Sequence, residues 1–381
     1  MDGVPDPFFD QLRREPDVDA PDLVAVDATD RLLLDEAAAA IAVAPDAVVT
    51  IDDSHGALTL GAIALHGATG VRVHQDLRVG ERALAANAER TGHTGSYTQH
   101  GLDADLVRGA ELVLVQAPKS LDALREIAET VARDAAPGVT LLVGGRVKHM
   151  TRAMNDVLGD SFGHVHATLA RQKSRVLVAS GPTPGASSFP RRQVHADLGV
   201  TVLAHGAAFA GTKVDLGTRA LLAALPAQGS GSAVDLGCGT GVLAVALARA
   251  GYDVLASDAS AAAVASARAT VEANGVADRV TVTREDALDG VPDASVDLVV
   301  CNPPFHLGVA VHTGAAERLF DAAARVLRPG GELWCVYNSH LPHRATLQQT
   351  VGPTRQLSRD PKFTVTASTK RAAGGGIRRI A

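Results

Sequence analysis

Four consecutive residues, Asn302-Pro303-Pro304-Phe305, have the chemical groups needed to hold an amino nitrogen for reaction. The Asn302 side-chain oxygen and the Pro303 carbonyl oxygen are two hydrogen-bond acceptors, and proline keeps their spacing stiff. Together they can accept both hydrogens of an exocyclic amine, which leaves the nitrogen lone pair free. Phe305 can stack on a flat base, a contact that contributes about 1–3 kcal/mol. Taken alone, the motif also fits a turn with a packed aromatic ring, so its place in the fold decides between the two interpretations.

A glycine-rich turn with the sequence VDLGCGTG lies between a predicted strand and a predicted helix over residues 242–250. Its glycines, Gly237, Gly239 and Gly241, allow the backbone to approach a ligand closely and point the N–H groups of the helix N-terminus at it. A dinucleotide-binding fingerprint would need a glycine at the position of Val242. The turn therefore predicts a nucleoside ligand without a pyrophosphate.

Acidic residues stand at three successive predicted strand ends. Asp235 precedes the glycine turn and could hold a ligand ammonium, directly or through water. Asp258 follows the next strand, where a carboxylate can accept from both ribose hydroxyls, and Asp286 follows the third, where it could accept from an adenine amino group. A single acid at a strand end is more often a helix cap, but three in succession favour a nucleoside site. Since a hydrogen bond to a charged acceptor contributes about 1.5–3 kcal/mol, losing Asp258 should weaken ligand binding more than tenfold.

Strands alternate with helices along the chain, which predicts an α/β fold with doubly wound parallel sheets. In such a sheet the fourth strand, here residues 295–301, lies beside the first. Asn302 would then emerge next to the glycine turn, at the point where the strand order reverses. This position favours the chemical interpretation of the Asn302 motif.

The order of these elements recurs at a nearly constant offset, which indicates an internal duplication of a whole domain. Four pairs of landmarks are separated by 186 to 192 residues: 111–119 and 297–305, Pro137-Gly138 and Pro329-Gly330, Lys148-His149 and Ser339-His340, and 171–180 and 359–368. We predict two tandem, doubly wound, Rossmann-like domains over residues 1–185 and 186–381, joined by a linker at residues 180–195.

The two copies differ where chemistry would occur. The first copy has Asp52-Asp53-Ser54-His55 in place of the glycine turn, and Gln116 and Lys119 in place of Asn302 and Phe305. We therefore expect the N-terminal domain to be degenerate and to have lost cofactor binding. The roles that remain for this domain are packing, contact with its sister domain or substrate binding.

Composition excludes other classes of protein. Apolar residues make up 46% of the 381 residues, but no apolar run reaches the roughly 18 residues that span a bilayer. Three cysteines without a C-x-x-C pair fit a reducing cytosol and neither a disulfide framework nor a zinc site. The N-terminus is acidic, unlike that of a signal peptide. We expect a cytoplasmic protein without a membrane segment or a metal.

The net charge of −6 is unevenly divided. Residues 1–185 carry 17 Lys or Arg and 26 Asp or Glu, whereas residues 186–381 carry 19 and 16. The second half would therefore tolerate a nucleic acid better, although the protein is more acidic than most nucleic-acid enzymes. Its basic clusters are modest, so counterion release would add little affinity.

The glycine turn and the acids at the following strand ends resemble class I S-adenosylmethionine-dependent methyltransferases, over about residues 205–370. The resemblance implies that the glycines line the methionine and ribose, that Asp258 holds the ribose and that Asp286 holds the adenine. The cofactor-binding residues expected on this basis are Asp235, Gly237, Cys238, Gly239, Gly241, Asp258, Ala259, Asp286, Ala287 and Asn302.

The Asn-Pro-Pro-Phe segment resembles the [ND]-PP-[YF] signature of methyltransferases that act on amino groups of adenine, cytosine, guanine or glutamine. This resemblance implies that Asn302, Pro303 and Phe305 are catalytic. Further positions are similar to bacterial ribosomal-RNA guanine-N2 methyltransferases of the RsmC/RlmG family. These positions are a segment at residues 209–218, His306 and Gly308, and, further downstream, Asn338, His340, Leu341, Lys362 and Phe363.

That family also has two tandem domains, of which the first is degenerate. The resemblance implies methylation of a guanine N2 amine in ribosomal RNA or a ribosomal subunit, with Asp215 to Thr218 closing over cofactor and base. His306 would face the substrate, or instead cap a helix or pack. A fused second domain makes a monomer plausible.

Two other functions stay open at this point. An amino-group methyltransferase could act on a protein glutamine or a small amine, although a small substrate would not need a second domain. Alternatively, the chain could be an RNA-binding assembly factor without catalysis, against which the complete set of glycines, Asp258 and Asn302 argues.

Overall fold

The computed structural model describes residues 7–17, 23–303 and 313–372. The chain divides into two compact units. The first consists of Met1–Phe189 together with His205–Ala207, and the second of Pro190–Ala204 together with Ala208–Ala381. Each unit contains a seven-stranded sheet, and a separate two-stranded sheet belongs to the second unit.

The described part of the first unit alternates helices and strands. Its helices are α1 (Ala28–Val43), α2 (Ala57–His66), α3 (Arg78–Thr91), α4 (Ala104–Val107), α5 (Leu121–Asp134) and α6 (Arg152–Gly159), with short 3-10 turns at Phe9–Gln11 and Val147–His149. Its strands are β1 (Val48–Ile51), β2 (Val71–His74), β3 (Tyr97–Gln99), β4 (Leu112–Gln116), β5 (Thr140–Arg146), β6 (Phe162–Ala167) and β7 (Ser174–Pro182).

The described part of the second unit repeats this order after a hairpin. Its strands are β8 (Arg191–His195), β9 (Val200–Ala204), β10 (Ser232–Leu236), β11 (Asp253–Asp258), β12 (Val280–Arg284), β13 (Val296–Cys301), β14 (Leu327–Asn338), β15 (Thr354–Arg359) and β16 (Phe363–Thr369). Its helices are α7 (Leu216–Ala224), α8 (Val242–Ala250), α9 (Ala261–Ala273), α10 (Thr313–Val326) and α11 (His343–Thr350).

The two large sheets have the same topology. The strand orders are β3-β2-β1-β4-β5-β7-β6 and β12-β11-β10-β13-β14-β16-β15. Strand pairing also matches, because Val113 pairs with Leu141 and Val299 pairs with Leu333, at offsets within the range that the sequence predicts. The predicted pair of doubly wound domains is confirmed.

The sheets are mixed, and the prediction of parallel sheets was wrong for one strand in each. β7 is antiparallel to both of its neighbours, as is β16. The chain between β15 and β16 consists of residues 360–362, and so short a connection can join antiparallel strands but not parallel ones.

The central strands are buried on both faces, as parallel strands between two helical layers must be. In β1, Val48 packs into one core of the first unit and Val49 into the other, because successive side chains point to opposite faces. In β10, Ala233 and Val234 divide between the two cores of the second unit in the same way. Helices approach closely through small residues such as Ala244, which is fully buried.

The boundary between the two compact units, at Phe189 and Pro190, lies within the predicted linker at residues 180–195, but both ends of that segment are strands. β7 continues to Pro182, and β8 begins at Arg191 and pairs with β9. β8 is difficult to recognise from the sequence, since its first four side chains are exposed and two of them are arginines.

Candidate functional site

Three adjacent strands of the second unit end at one edge of its sheet. Leu236 of β10 pairs with Ser257 of β11 on one side and with Cys301 of β13 on the other. The residues at the ends of these strands therefore lie side by side where the strand order reverses, which is the usual ligand site of such sheets. They are the glycine turn, Asp258 and Asn302.

The glycine turn is hydrogen-bonded to the neighbouring strand, and two of its glycines have open space beside them. The Ser257 carbonyl accepts from the N–H groups of Gly237 and Cys238 at 2.9 and 3.1 Å. Gly237 and Gly239 have φ angles of 72° and 52°, and a Cβ on either would meet no described atom within 4 Å. A ligand can thus approach the backbone, which fits the glycine cradle expected for the cofactor. Cys238 is buried, and burial raises the pKa of its thiol.

Gly241 has a different role, because it packs against a helix. Its φ angle is 79°, and an added Cβ would lie 3.1 Å from the backbone and side chain of Ala267 in α9. Gly241 is the N-cap residue of α8. It therefore allows the turn to enter the helix and α8 to pack tightly on α9.

Asp258 links the glycine turn to the start of the next helix. Its Oδ2 accepts from the Gly239 N–H and its Oδ1 from the Ser260 N–H, both at 2.9 Å. The next residue, Ala259, accepts from Arg284 Nε through its carbonyl at 3.4 Å. The predicted ribose acceptor is thus fixed in place by backbone donors.

The predicted adenine side of the site lies in a constrained loop. Asp286 lies 3.6 Å from Nη1 of Arg318 in α10. Ala287 and Leu288 have φ angles of 53° and 61°, a region that residues with a Cβ rarely adopt. Such conformations persist where the surroundings impose them, often at ligand sites.

Asp235 is fully buried beneath the glycine turn. Its Oδ2 accepts from the Ala244 N–H in α8 at 2.9 Å, so one oxygen orients the first turn of this helix. Its Oδ1 is buried without a partner among the described residues. Burial, with a smaller contribution from Asp258, raises the pKa of Asp235 to about 7. One carboxylate oxygen therefore remains for the predicted ligand ammonium.

Asn302 is held on its nitrogen side. Nδ2 donates to Asp215 Oδ2 at 3.2 Å and to Thr218 Oγ1 at 3.0 Å. Its Oδ1 is buried and has no partner in the described part of the chain. Pro303 is also buried. Phe305 and His306, which the sequence also places at the site, lie outside the described residues.

At the corresponding edge of the first unit's sheet, polar side chains are hydrogen-bonded to groups of the protein itself. Asp53 accepts from the Gly56 and Thr59 N–H groups at the start of α2, at 3.0 and 2.8 Å. Gln116, which ends β4 at the position where Asn302 follows β13, donates to the buried Asp30. Both oxygens of Asp53 are thus occupied by backbone donors, whereas Asp235 of the second unit keeps one oxygen without a partner among the described residues, which fits a degenerate first site.

The sequence analysis included Gly217 in the closing segment from Asp215 to Thr218 but gave it no role of its own in the first turn of α7. A Cβ at this position would lie 2.9 Å from Asp215 Oδ2 and 3.1 Å from Asn302 Oδ1. A signal was available, because glycine inside a helix is unfavourable and needs a reason. The reason depends on Asn302, which is far away in sequence.

Comparisons with known proteins agree with this architecture. The family described as RLMG N-terminal domain matches residues 7–183, and the family described as Methyltransferase small domain matches residues 199–367. The ribosomal RNA large subunit methyltransferase G of Pseudomonas aeruginosa is 36% identical over 366 residues, covering 94% of this chain and 97% of the relative. The protein of the same name from Streptomyces coelicolor is 36% identical over 372 residues, with the same coverage.

The chain belongs to the ribosomal RNA large subunit methyltransferase G family. A solved structure supports the fold: the T. thermophilus 16S rRNA N2 guanine methyltransferase RsmC, in complex with AdoMet and guanosine, superimposes with a TM-score of 0.73 at 24% identity. The match covers 91% of this chain and 92% of that one. The chain is therefore a member of a methyltransferase family, as the resemblance in the sequence implied.

Two features are missing from the described residues. None of their helices combines the length and the apolarity that a membrane crossing requires. Within residues 7–17, 23–303 and 313–372, no group of three or more His, Cys, Asp or Glu side chains is arranged to hold a metal ion.

Proposed function

We propose that the protein methylates the exocyclic N2 amine of a guanine in ribosomal RNA of the large subunit. The name shared by its relatives supports the RNA substrate and the subunit. The observation that carries the choice of an amine is the buried Asn302 Oδ1, an acceptor without a partner among the described residues, next to the glycine turn. Burying such an acceptor unpaired is unfavourable by about 1–3 kcal/mol, so a ligand donor is the natural partner.

The residues of the site have separate tasks in this reaction. S-adenosylmethionine supplies the methyl group. Gly237 and Gly239 leave room for it, Asp258 is fixed as the acceptor for its ribose, and Asp235 offers one oxygen to its ammonium. Asn302 Oδ1 and the Pro303 carbonyl accept the two amine hydrogens of the guanine. Acceptors fixed in advance stabilise the positive charge that develops on the nitrogen, which lowers the barrier without a covalent intermediate.

The N-terminal unit contributes no second cofactor site in this proposal. Its helix N-terminus is occupied by Asp53, and its counterpart of Asn302 is paired with Asp30. We propose that it serves substrate binding or stability. A monomer in the cytoplasm stays a prediction from the sequence.

The test is transfer of labelled methyl from S-adenosylmethionine into free rRNA and into ribosomal subunits from a strain that lacks this gene. Mass spectrometry of the nucleosides should find the label in N2-methylguanosine from the large subunit. Label in another nucleoside, or in the small subunit, would contradict the corresponding part of the proposal. Label in a protein glutamine would favour the alternative acceptor.

Asn302→Ala tests the role of the site itself. Removal of a positioned polar group from an active site typically lowers kcat about 10²–10³-fold. We expect a loss of this order for methyl transfer, with the dissociation constant of S-adenosylmethionine unchanged within a few-fold. Equal losses of transfer and of cofactor affinity would show that Asn302 is a binding or structural residue.

A further inference from the structure

The first turn of α7 accepts two hydrogen bonds from the amide nitrogen of Asn302. We propose that Asp215, Gly217 and Thr218 form an amide clamp, which fixes Asn302 with its oxygen, and not its nitrogen, toward the substrate amine. These three are positioning residues, since they act through Asn302. The inference rests on the proposed function, because the orientation of the amide matters only if Asn302 accepts from an amine.

An asparagine amide needs neighbouring groups that fix its orientation. Its oxygen and its NH2 group have nearly the same shape, and rotation about the last side-chain bond exchanges them. With the nitrogen outward, Asn302 would present a donor to a donor, and the substrate amine would be repelled. The protein must therefore favour one of two similar orientations.

The carboxylate of Asp215 makes this choice, because it can only accept hydrogen bonds. Asn302 Nδ2 lies 3.2 Å from Asp215 Oδ2 and 3.0 Å from Thr218 Oγ1. The rotated amide would place its oxygen against the carboxylate oxygen at the same distance, where two acceptors repel each other. The chemistry of the partners thus fixes the assignment of nitrogen and oxygen.

Asp215 is itself immobilised by the helix that it starts. Its Oδ2 accepts from the N–H groups of Gly217 at 2.8 Å and Thr218 at 3.4 Å, as the N-cap of α7. The same oxygen therefore caps the helix and receives Asn302 Nδ2. The start of α7 and the end of β13 are locked together at the site.

Gly217 provides the space for this contact. Its φ angle is not in the left-handed region, so its backbone conformation does not require glycine. An added Cβ, however, would lie 3.1 Å from Asn302 Oδ1, closer than most Cβ contacts, and 2.9 Å from Asp215 Oδ2. The glycine lets the helix approach the amide without a Cβ pressing on the acceptor oxygen.

The first unit shows the contact without the clamp. Asp30 accepts from Gln116, as Asp215 accepts from Asn302. The N-cap of α1 is Asp27 and that of α7 is Asp215, so Thr29 and Asp30 stand where α7 has Gly217 and Thr218. The unit with the degenerate site has thus kept an acid–amide contact but has a threonine in place of the glycine and an acid in place of the second acceptor.

The experiment measures kcat for RNA methylation at saturating cofactor, the dissociation constant of S-adenosylmethionine, and the melting temperature. Thr218→Val removes the hydroxyl acceptor at constant shape and should lower kcat about three- to tenfold, as the loss of one hydrogen bond predicts. Thr218→Ser keeps the acceptor and should restore kcat to within twofold of wild type. Cofactor affinity should stay within twofold in both variants.

Gly217→Ala separates function from stability. Alanine is the better helix former, so α7 should be as stable or more stable, whereas the crowded amide should lower kcat about tenfold or more, since misplacement by about 1 Å can reduce rates about 10²-fold. Gly159→Ala is the matched control, because Gly159 also lies in a helix and an added Cβ there meets nothing within 4 Å. It should retain wild-type kcat.

The outcomes distinguish the clamp from the proposed function. Wild-type kcat in Thr218→Val and Gly217→Ala, with an inactive Asn302→Ala, would overturn the clamp and leave the proposed function intact. Lower kcat that always accompanies a lower melting temperature, without rescue by Thr218→Ser, would show a structural role and would also overturn it. Wild-type kcat in Asn302→Ala would refute the function on which the clamp rests.

Discussion

The buried carboxyl of Asp235 predicts a dependence of stability on pH that a single substitution should remove. Its side chain is 0% exposed, and burial raises its pKa from 3.8 to about 7. Because folding raises this pKa, the folded protein retains a proton that the unfolded chain releases. The free energy of unfolding therefore falls as the pH rises from about 4 to about 7, and is constant above that range.

The magnitude follows from the size of the shift. Each unit of pKa difference corresponds to about 1.36 kcal/mol, so Asp235 should lower the free energy of unfolding by about 2–3 kcal/mol between pH 5 and pH 8. Asp235→Asn keeps an oxygen that can accept from the Ala244 N–H but cannot ionise. Relative to wild type, the variant should thus be more stable at pH 8 than at pH 5 by about the same amount.

The assay can follow the second unit by itself. Trp334 is the single tryptophan of the chain and lies in β14, so its fluorescence reports unfolding of that unit. Denaturant titrations without cofactor at pH 5 and pH 8 give the four free energies, and groups common to both proteins cancel in the comparison. If the difference in unfolding free energy between variant and wild type is the same at both pH values, the claim that burial raises the pKa of Asp235 is refuted.

Two further predictions concern the cofactor site and the segment His205–Ala207, which belongs to the first unit although it lies between two segments of the second. Asp258→Ala removes the acceptor that binds the Gly239 N–H and should weaken S-adenosylmethionine binding more than tenfold by calorimetry; Gln75→Ala, at the corresponding strand end of the first unit, should leave that affinity unchanged. Gly206→Ala would place a Cβ 2.2 Å from the Asp122 carbonyl oxygen, so the first unit should lose about 1–3 kcal/mol of stability in scanning calorimetry. An unaltered transition, equal to that of the open-site control Gly185→Ala, would contradict this packing.

The sequence predicted what depends on local pattern. The glycine turn, the helix at Val242–Ala250 and the strand before Asn302 follow from glycine spacing and from runs of valine and leucine. The antiparallel strand β7 and the hairpin strand β8 were not predicted as such, since sequence pattern does not give strand direction and the first four side chains of β8 are exposed. Patterns of this kind identify elements better than their pairing partners.

The orientation of the Asn302 amide, in contrast, does not follow from local sequence pattern. It depends on Asp215 and Thr218, which are 87 and 84 residues away in sequence. Neither residue type indicates such a contact by itself, because aspartate and threonine at a helix start are ordinary capping residues. The structure was needed to show that one carboxylate oxygen performs both tasks.

The comparison of the two units shows how little change separates a site from its degenerate copy. Both sheets have the same strand order, and both have an acid–amide contact at the same edge. In the first unit both oxygens of Asp53 accept from N–H groups at the start of α2. In the second, Asp235 accepts from the Ala244 N–H at the start of α8 with one oxygen, and Asp235 and Asn302 each keep an oxygen without a partner among the described residues. Fold and chemistry are thus separable here, because side chains at one sheet edge change while the cores beneath them are retained.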